Sequence, residues 1–139
     1  MRITKKESNI QLLFVYGSLK RGFENERLMF HAKSLGKAKT INKYPLIINT
    51  KLRYPFLLNH ENVGHNVIGE LYEVTMSRIS ELDSFEGKEY IRSKILVLKN
   101  IIHHPKKKGI EEIVEANVYF YKEDIEYTLK DISWSWSKR

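Results

Sequence analysis

The chain has 139 residues, 42% of them hydrophobic and 12% aromatic, enough for one packed domain and too apolar for a disordered chain. It holds no cysteine, which excludes disulfides, thiolate metal sites and a cysteine nucleophile. The net charge is +7, and no apolar run approaches the ~20 residues that span a bilayer. The N-terminal MRITKKESN is basic, but the apolar run behind it is too short for a secretory segment, so a cytoplasmic protein is expected.

The first candidate strand is IQLLFVY (10–16), apolar apart from Gln11, and it breaks abruptly into Gly17-Ser18-Leu19 with a second glycine at Gly22. NERLMFHAK (25–33) follows, with Leu28, Met29 and Ala32 at helical spacing and Asn25 as its N-cap. PLIIN (45–49) and PFLLN (55–59) are short apolar runs, each opened by a proline. NVIGELYEV (66–74) reads as a strand in which Gly69 marks a bulge or a close approach of two backbones. MSRISELDSFE (76–86) reads as a helix with Met76, Ile79, Leu82 and Phe85 near one face, Thr75 as its cap and Gly87 as its stop.

YIRSKILVL (90–98) and VEANVYFY (114–121) complete the strands. In the last, Val114, Ala116, Val118 and Phe120 share one face, and Glu115, Asn117, Tyr119 and Tyr121 the other. HHPKKKG (103–109) is read as a loop joining two strands. No repeat or domain boundary interrupts the pattern. The expectation is a single α+β domain over 1–139, mostly β, with its core at about 10–122 and a closed or nearly closed sheet. A basic extension precedes that core, and a tail with Trp134 and Trp136 follows it.

The basic charge is uneven. Residues 1–43 carry ten basic and three acidic side chains, and Lys106, Lys107 and Lys108 form a second cluster. Such a surface draws anions, yet no helix carries regularly spaced Lys or Arg and no zinc-finger or RNP-type pattern is present. The charge therefore reads as a solvated face rather than a nucleic-acid interface.

Two segments can carry chemistry. A strand ending in Gly-Ser can aim successive backbone N–H groups at one carboxylate, and the Ser18 hydroxyl adds a donor and acceptor. An ordinary strand-ending loop fits the same residues and is the commoner arrangement. Glu86 ends the candidate helix, where the negative end of the helix dipole disfavours its ionised form. Partial burial would raise its pKa further, towards that of a general base working near neutrality. The alternative is a surface carboxylate paired with Lys88 or Arg92. The histidines have no ligand spacing, so no metal site is expected. Ser18 lacks the context of a nucleophile elbow, and the GSLKRG stretch lacks a P-loop ending.

Together these residues resemble the γ-glutamylcyclotransferase superfamily, in its γ-glutamylamine cyclotransferase-like branch. The likeness runs from about Leu13 to Tyr121. It lies in Tyr16-Gly17-Ser18-Leu19 with Gly22 and Asn25, the paired YPLI (44–47) and YPFLL (54–58), VIGELYEV, and LDSFEGKEYIR (82–92), ending in ANVYFY. The resemblance implies a small mixed, mostly β barrel flanked by short helices. It implies that the turn Tyr16, Gly17, Ser18 and Leu19 receives the γ-glutamyl group, that Glu86 is the catalytic acid/base, and that Tyr90 and Tyr119 line the cavity. The implied reaction closes a γ-glutamyl amine or amide to 5-oxoproline, frees the amine, and uses no metal or cofactor. The rival reading is a non-catalytic binding module of the same fold that uses its basic face for RNA or a protein partner. Retention of both Glu86 and the turn weighs against it.

Overall fold

A computed structural model of the chain describes residues 9–17, 29, 32–48, 55–101, 110–122, 125–133 and 135. Five strands close into a barrel in the order β1 (Ile10–Val15), β5 (His65–Thr75), β2 (Lys33–Tyr44), β6 (Tyr90–Ile101) and β7 (Ile110–Tyr121). β1 runs antiparallel to β5 from Ile10 opposite Thr75 to Val15 opposite Glu70, and meets β7 in parallel at Leu13 and Asn117. β6 and β7 form a long antiparallel hairpin, from Tyr90 opposite Tyr121 to Ile101 opposite Ile110. A small second sheet orders β4 (Phe56–Leu57), β3 (Leu46–Ile47) and β8 (Ile132–Ser133). The paired proline runs are thus neighbours, Leu46 opposite Leu57 and Ile47 opposite Phe56.

The apolar run Leu12–Val15 in β1 has a simple cause: both faces of the strand are covered. Phe14 points into the barrel with Leu71, Val97, Val118 and Phe120, whereas Leu13 and Val15 face outward onto the helix α1 (Met76–Glu86). That helix starts as expected, with the Thr75 side chain accepting from the Arg78 N–H at 3.1 Å. It stops at Gly87, whose φ of 65° suits glycine and whose N–H donates to the Asp83 carbonyl. Ile79 and Leu82 are the buried residues of α1, each stabilising the fold by about 1.5–3 kcal/mol. No helix among the described residues is long and apolar enough to cross a membrane.

The candidate helix at 25–33, with its cap Asn25, lies outside the described residues except for Met29, Ala32 and Lys33. Met29 is buried against the outer face of β1, and Lys33 already begins β2. Gly22, the Lys106–Lys108 cluster, Trp134 and Trp136 also lie outside the described residues. β2 itself was not anticipated, since KSLGKAKTINKY looks polar throughout. Its signal was period-two alternation: Ala38 and Thr40 are buried, Lys37 and Lys39 exposed.

Thr40 holds β2 together where its pairing with β5 breaks register between Lys39 and Lys43. Its hydroxyl accepts from the Val67 N–H at 2.8 Å and donates to the Asn42 carbonyl at 2.7 Å, and the residue is fully buried. Thr40→Val keeps the shape and strands the Val67 donor. A loss of about 1–3 kcal/mol is expected in a urea titration, against little change for the exposed Lys39→Val beside it.

Candidate active site

Four segments meet at one end of the barrel: the last residues of β1, Pro55 just before β4, the turn after α1, and the end of the β6–β7 hairpin. Tyr16 follows β1 directly. It is buried, and its hydroxyl donates to the Tyr119 carbonyl oxygen on β7. Burial raises its pKa well above the usual tyrosine value, the Tyr90 and Glu86 groups add to this, and a hydrogen bond from the Leu57 backbone opposes it. The Tyr16 hydroxyl is thus engaged with the β7 backbone and its ring packs into the barrel core. At Gly17 a Cβ would lie 3.3 Å from the Pro55 ring, so the glycine lets Pro55 pack close against this turn. Ser18 and Leu19 lie outside the described residues.

Glu86 owes its place to helix geometry. At about 100° per residue, a stripe spaced by threes drifts backwards by about 60° at each step. Phe85 was expected on the buried stripe with Ile79 and Leu82, but the drift carries it off that face, and it is 46% exposed. Glu86 stands four residues after Leu82 and seven after Ile79, which turns it back towards the barrel. It is half-buried there, at the C-terminal end of α1. Burial first, and then the Glu89 carboxylate, raise its pKa from 4.5 to about 7. The carboxyl is thus poised to give and take a proton near neutral pH.

Neither Lys88 nor Arg92 pairs with it. The Arg92 guanidinium instead clasps Asp83, Nε to Oδ1 at 3.0 Å and Nη2 to Oδ2 at 3.4 Å, and its other arm reaches Asn117 Oδ1 at 2.9 Å. Tyr119 donates to the same Asp83 Oδ1 at 2.7 Å. Its pKa is raised by burial, by the Asp83 bond and charge and by Glu86, and Arg92 pulls the other way. Asn117 is buried and donates to the Leu12 carbonyl at 2.9 Å, which ties the network to β1. This network is the part of the site that the sequence did not disclose. Asp83 reads as solvated by composition, yet it stands four residues after the buried Ile79, on the same face as Glu86.

Tyr90 opens β6 and closes the site on the other side. Its hydroxyl donates to the Pro55 carbonyl at 3.4 Å. Its ring meets Tyr121 edge-on at 5.6 Å, and Tyr121 in turn packs on Phe56 at 4.2 Å. Tyr16, Gly17, Glu86, Tyr90 and Tyr119 thus gather at one end of the barrel. The arrangement offers a carboxyl that titrates near neutrality, a strand-ending turn and an aromatic wall.

Residues 13–138 match the family described as Gamma-glutamyl cyclotransferase, AIG2-like. A relative from Methanocaldococcus jannaschii is 34% identical over 117 residues, 82% of this chain and 87% of that protein. The gamma-glutamylaminecyclotransferase of Rattus norvegicus is 32% identical over 112 residues, 77% of this chain and 75% of its own. Against three further relatives, one from Arabidopsis thaliana and two from Drosophila melanogaster, the chain spans 50% to 61% of their length. The crystal structure of an AIG2-like protein from Mus musculus superposes with a TM-score of 0.74 at 28% identity, covering 93% of this chain and 89% of that one.

Proposed function

Because the chain belongs to the γ-glutamyl cyclotransferase, AIG2-like family, we propose that it cyclises a γ-glutamyl amine to 5-oxoproline, with Glu86 as the acid and base. The observation that carries this reading is the half-buried Glu86 carboxyl, raised to about 7 and unpaired by any cation among the described residues. The name of the rat relative supports γ-glutamyl amines as the substrate class.

The chemistry follows from one obstacle. The substrate α-amine is protonated at neutral pH and cannot attack its own γ-carbonyl until it loses a proton. Glu86 takes that proton. The freed nitrogen attacks the γ-carbon, a C–N bond forms, and the five-membered ring closes. Glu86 then gives a proton to the departing nitrogen as its bond to the γ-carbon breaks. On ring closure the α-nitrogen gives up a second proton and remains as the lactam N–H; Glu86 relays this proton too, so the departing nitrogen receives two in all and the amine leaves protonated. Attack within one molecule needs only a folded conformer, so a wall that bends the glutamyl chain supplies much of the rate. Backbone N–H groups of the turn from Gly17 to Leu19 are assigned to the substrate carboxylate or the developing oxyanion.

The test is a release assay. The protein is incubated with γ-glutamyl-ε-lysine, simple γ-glutamyl amines, γ-glutamyl amino acids and glutathione, and 5-oxoproline is quantified. Release from the amines, ahead of the others, is the expected result. A folded protein that releases 5-oxoproline from none of them contradicts the reading.

A further inference from the structure

We propose that Asp83 is a positioning residue that keeps the Arg92 guanidinium away from Glu86, so that the site retains a carboxyl able to carry a proton. The inference rests on Glu86 as the acid and base. Asp83 and Glu86 lie one turn apart on the barrel-facing side of α1; Arg92 reaches Asp83 from β6, and Tyr119 feels the charges of both Arg92 and Glu86. An arginine near two carboxylates joins whichever offers the better geometry, and here two of its nitrogens meet both oxygens of Asp83. Asn117 takes a third nitrogen, and Tyr119 occupies Asp83 Oδ1 from the other side. Arg92 is thus fixed on three sides within a network that is only partly open to water.

Among the described residues, Glu89 acts on Glu86, Glu86 acts on Tyr16 and Tyr119, and these two are in turn acted on from β6. Glu89 lies in the turn after α1, Tyr16 follows β1, and Tyr119 is on β7. Tyr90 and Arg92 are on β6, Tyr90 acting on Tyr16 and Arg92 on Tyr119. Lys88 in the same turn is exposed. Arg92 is the one cation in this set held by a second carboxylate. Without Asp83 its guanidinium has Glu86 as the remaining carboxylate on that face of α1. An opposite charge within about 4–6 Å lowers a carboxyl by about 1–3 units, enough to turn a proton carrier into a permanently ionised group.

The readout is the titration of the Glu86 side chain, followed by carbon-detected NMR on the whole labelled protein. Asp83→Asn keeps the shape and an acceptor for Tyr119 but removes the charge that holds Arg92. The Glu86 midpoint is expected to fall by about one unit or more in this variant. In Asp83→Asn with Arg92→Gln it should return to the wild-type value, which loss of structure alone would not do. An unchanged midpoint in folded Asp83→Asn overturns the proposal. The wild type gives an independent check: the Arg92 Nε–H resonance should not follow the Glu86 titration, and an Nε–H that does follow it overturns the proposal as well. None of these readouts depends on turnover. Absence of 5-oxoproline release would count against the cyclotransferase reading and leave the pairing of Arg92 decided by NMR.

Discussion

Glu86→Gln should abolish 5-oxoproline release and stabilise the protein in the same stroke. The side chain keeps its size and loses its proton chemistry, so kcat/KM is expected to fall by about 10³-fold, the usual scale for a general acid–base group. The stability effect follows from the raised pKa. In the unfolded chain the carboxyl titrates near 4.5 and in the folded chain near 7, so the folded state binds the proton more tightly. The stabilisation is fully present below 4.5 and is lost as pH rises through 7. Above that, wild type carries an ionised carboxylate in a place that resists it. The full shift corresponds to about 3 kcal/mol, and partial exposure to water reduces this to about 1–2 kcal/mol. The Gln variant should therefore melt several degrees higher than wild type at pH 8. By pH 5 the gap should shrink to about a quarter of that. Differential scanning calorimetry at the two pH values measures it. A variant less stable than wild type at pH 8 would mean that the carboxylate is well accommodated there.

Gly69→Ala should be among the most damaging single substitutions in the barrel. A Cβ at this position of β5 would lie 2.4 Å from the Val15 carbonyl oxygen and 2.7 Å from Cζ of Phe14. The Phe14 ring fills the barrel interior and is 1% exposed, and the carbonyl belongs to the β1–β5 pairing beside Val15 and Glu70. Neither can give way without moving β1. A loss of about 3 kcal/mol is expected in a denaturant titration, together with reduced turnover, because Val15 immediately precedes the Tyr16–Gly17 turn. Phe14→Leu in the same chain relieves the ring and leaves the carbonyl clash, so it should restore less than half of the loss. Full restoration would place the strain on the ring alone.

The barrel was legible wherever a strand announced itself by composition. β1, β5, β6 and β7 are rich in β-branched, aromatic and leucine side chains because they bury at least one face. β2 escaped notice because its inward residues are as modest as Ala38 and Thr40, and its lysines point to solvent. β8 is only Ile132 and Ser133, too short for any period to show. In the site, Glu86 could be found from its position before Gly87 and from the family pattern, since helix-end chemistry is local. The partner of Arg92 could not, because Asp83, Arg92, Asn117 and Tyr119 meet only when α1 lies across the hairpin. Phe85 shows the cost of reading a stripe by threes: the helix turns by 3.6, and the outward and inward residues change places by its last turn.

The most direct measurement is the pH dependence of kcat/KM for 5-oxoproline release by the wild-type protein between pH 5 and 9. With Glu86 required as the carboxylate, the rate should rise tenfold per unit at low pH and bend at about 7. A profile that is already flat from pH 5 upward would mean that the group taking the proton ionises well below Glu86, and Glu86 would not be the base.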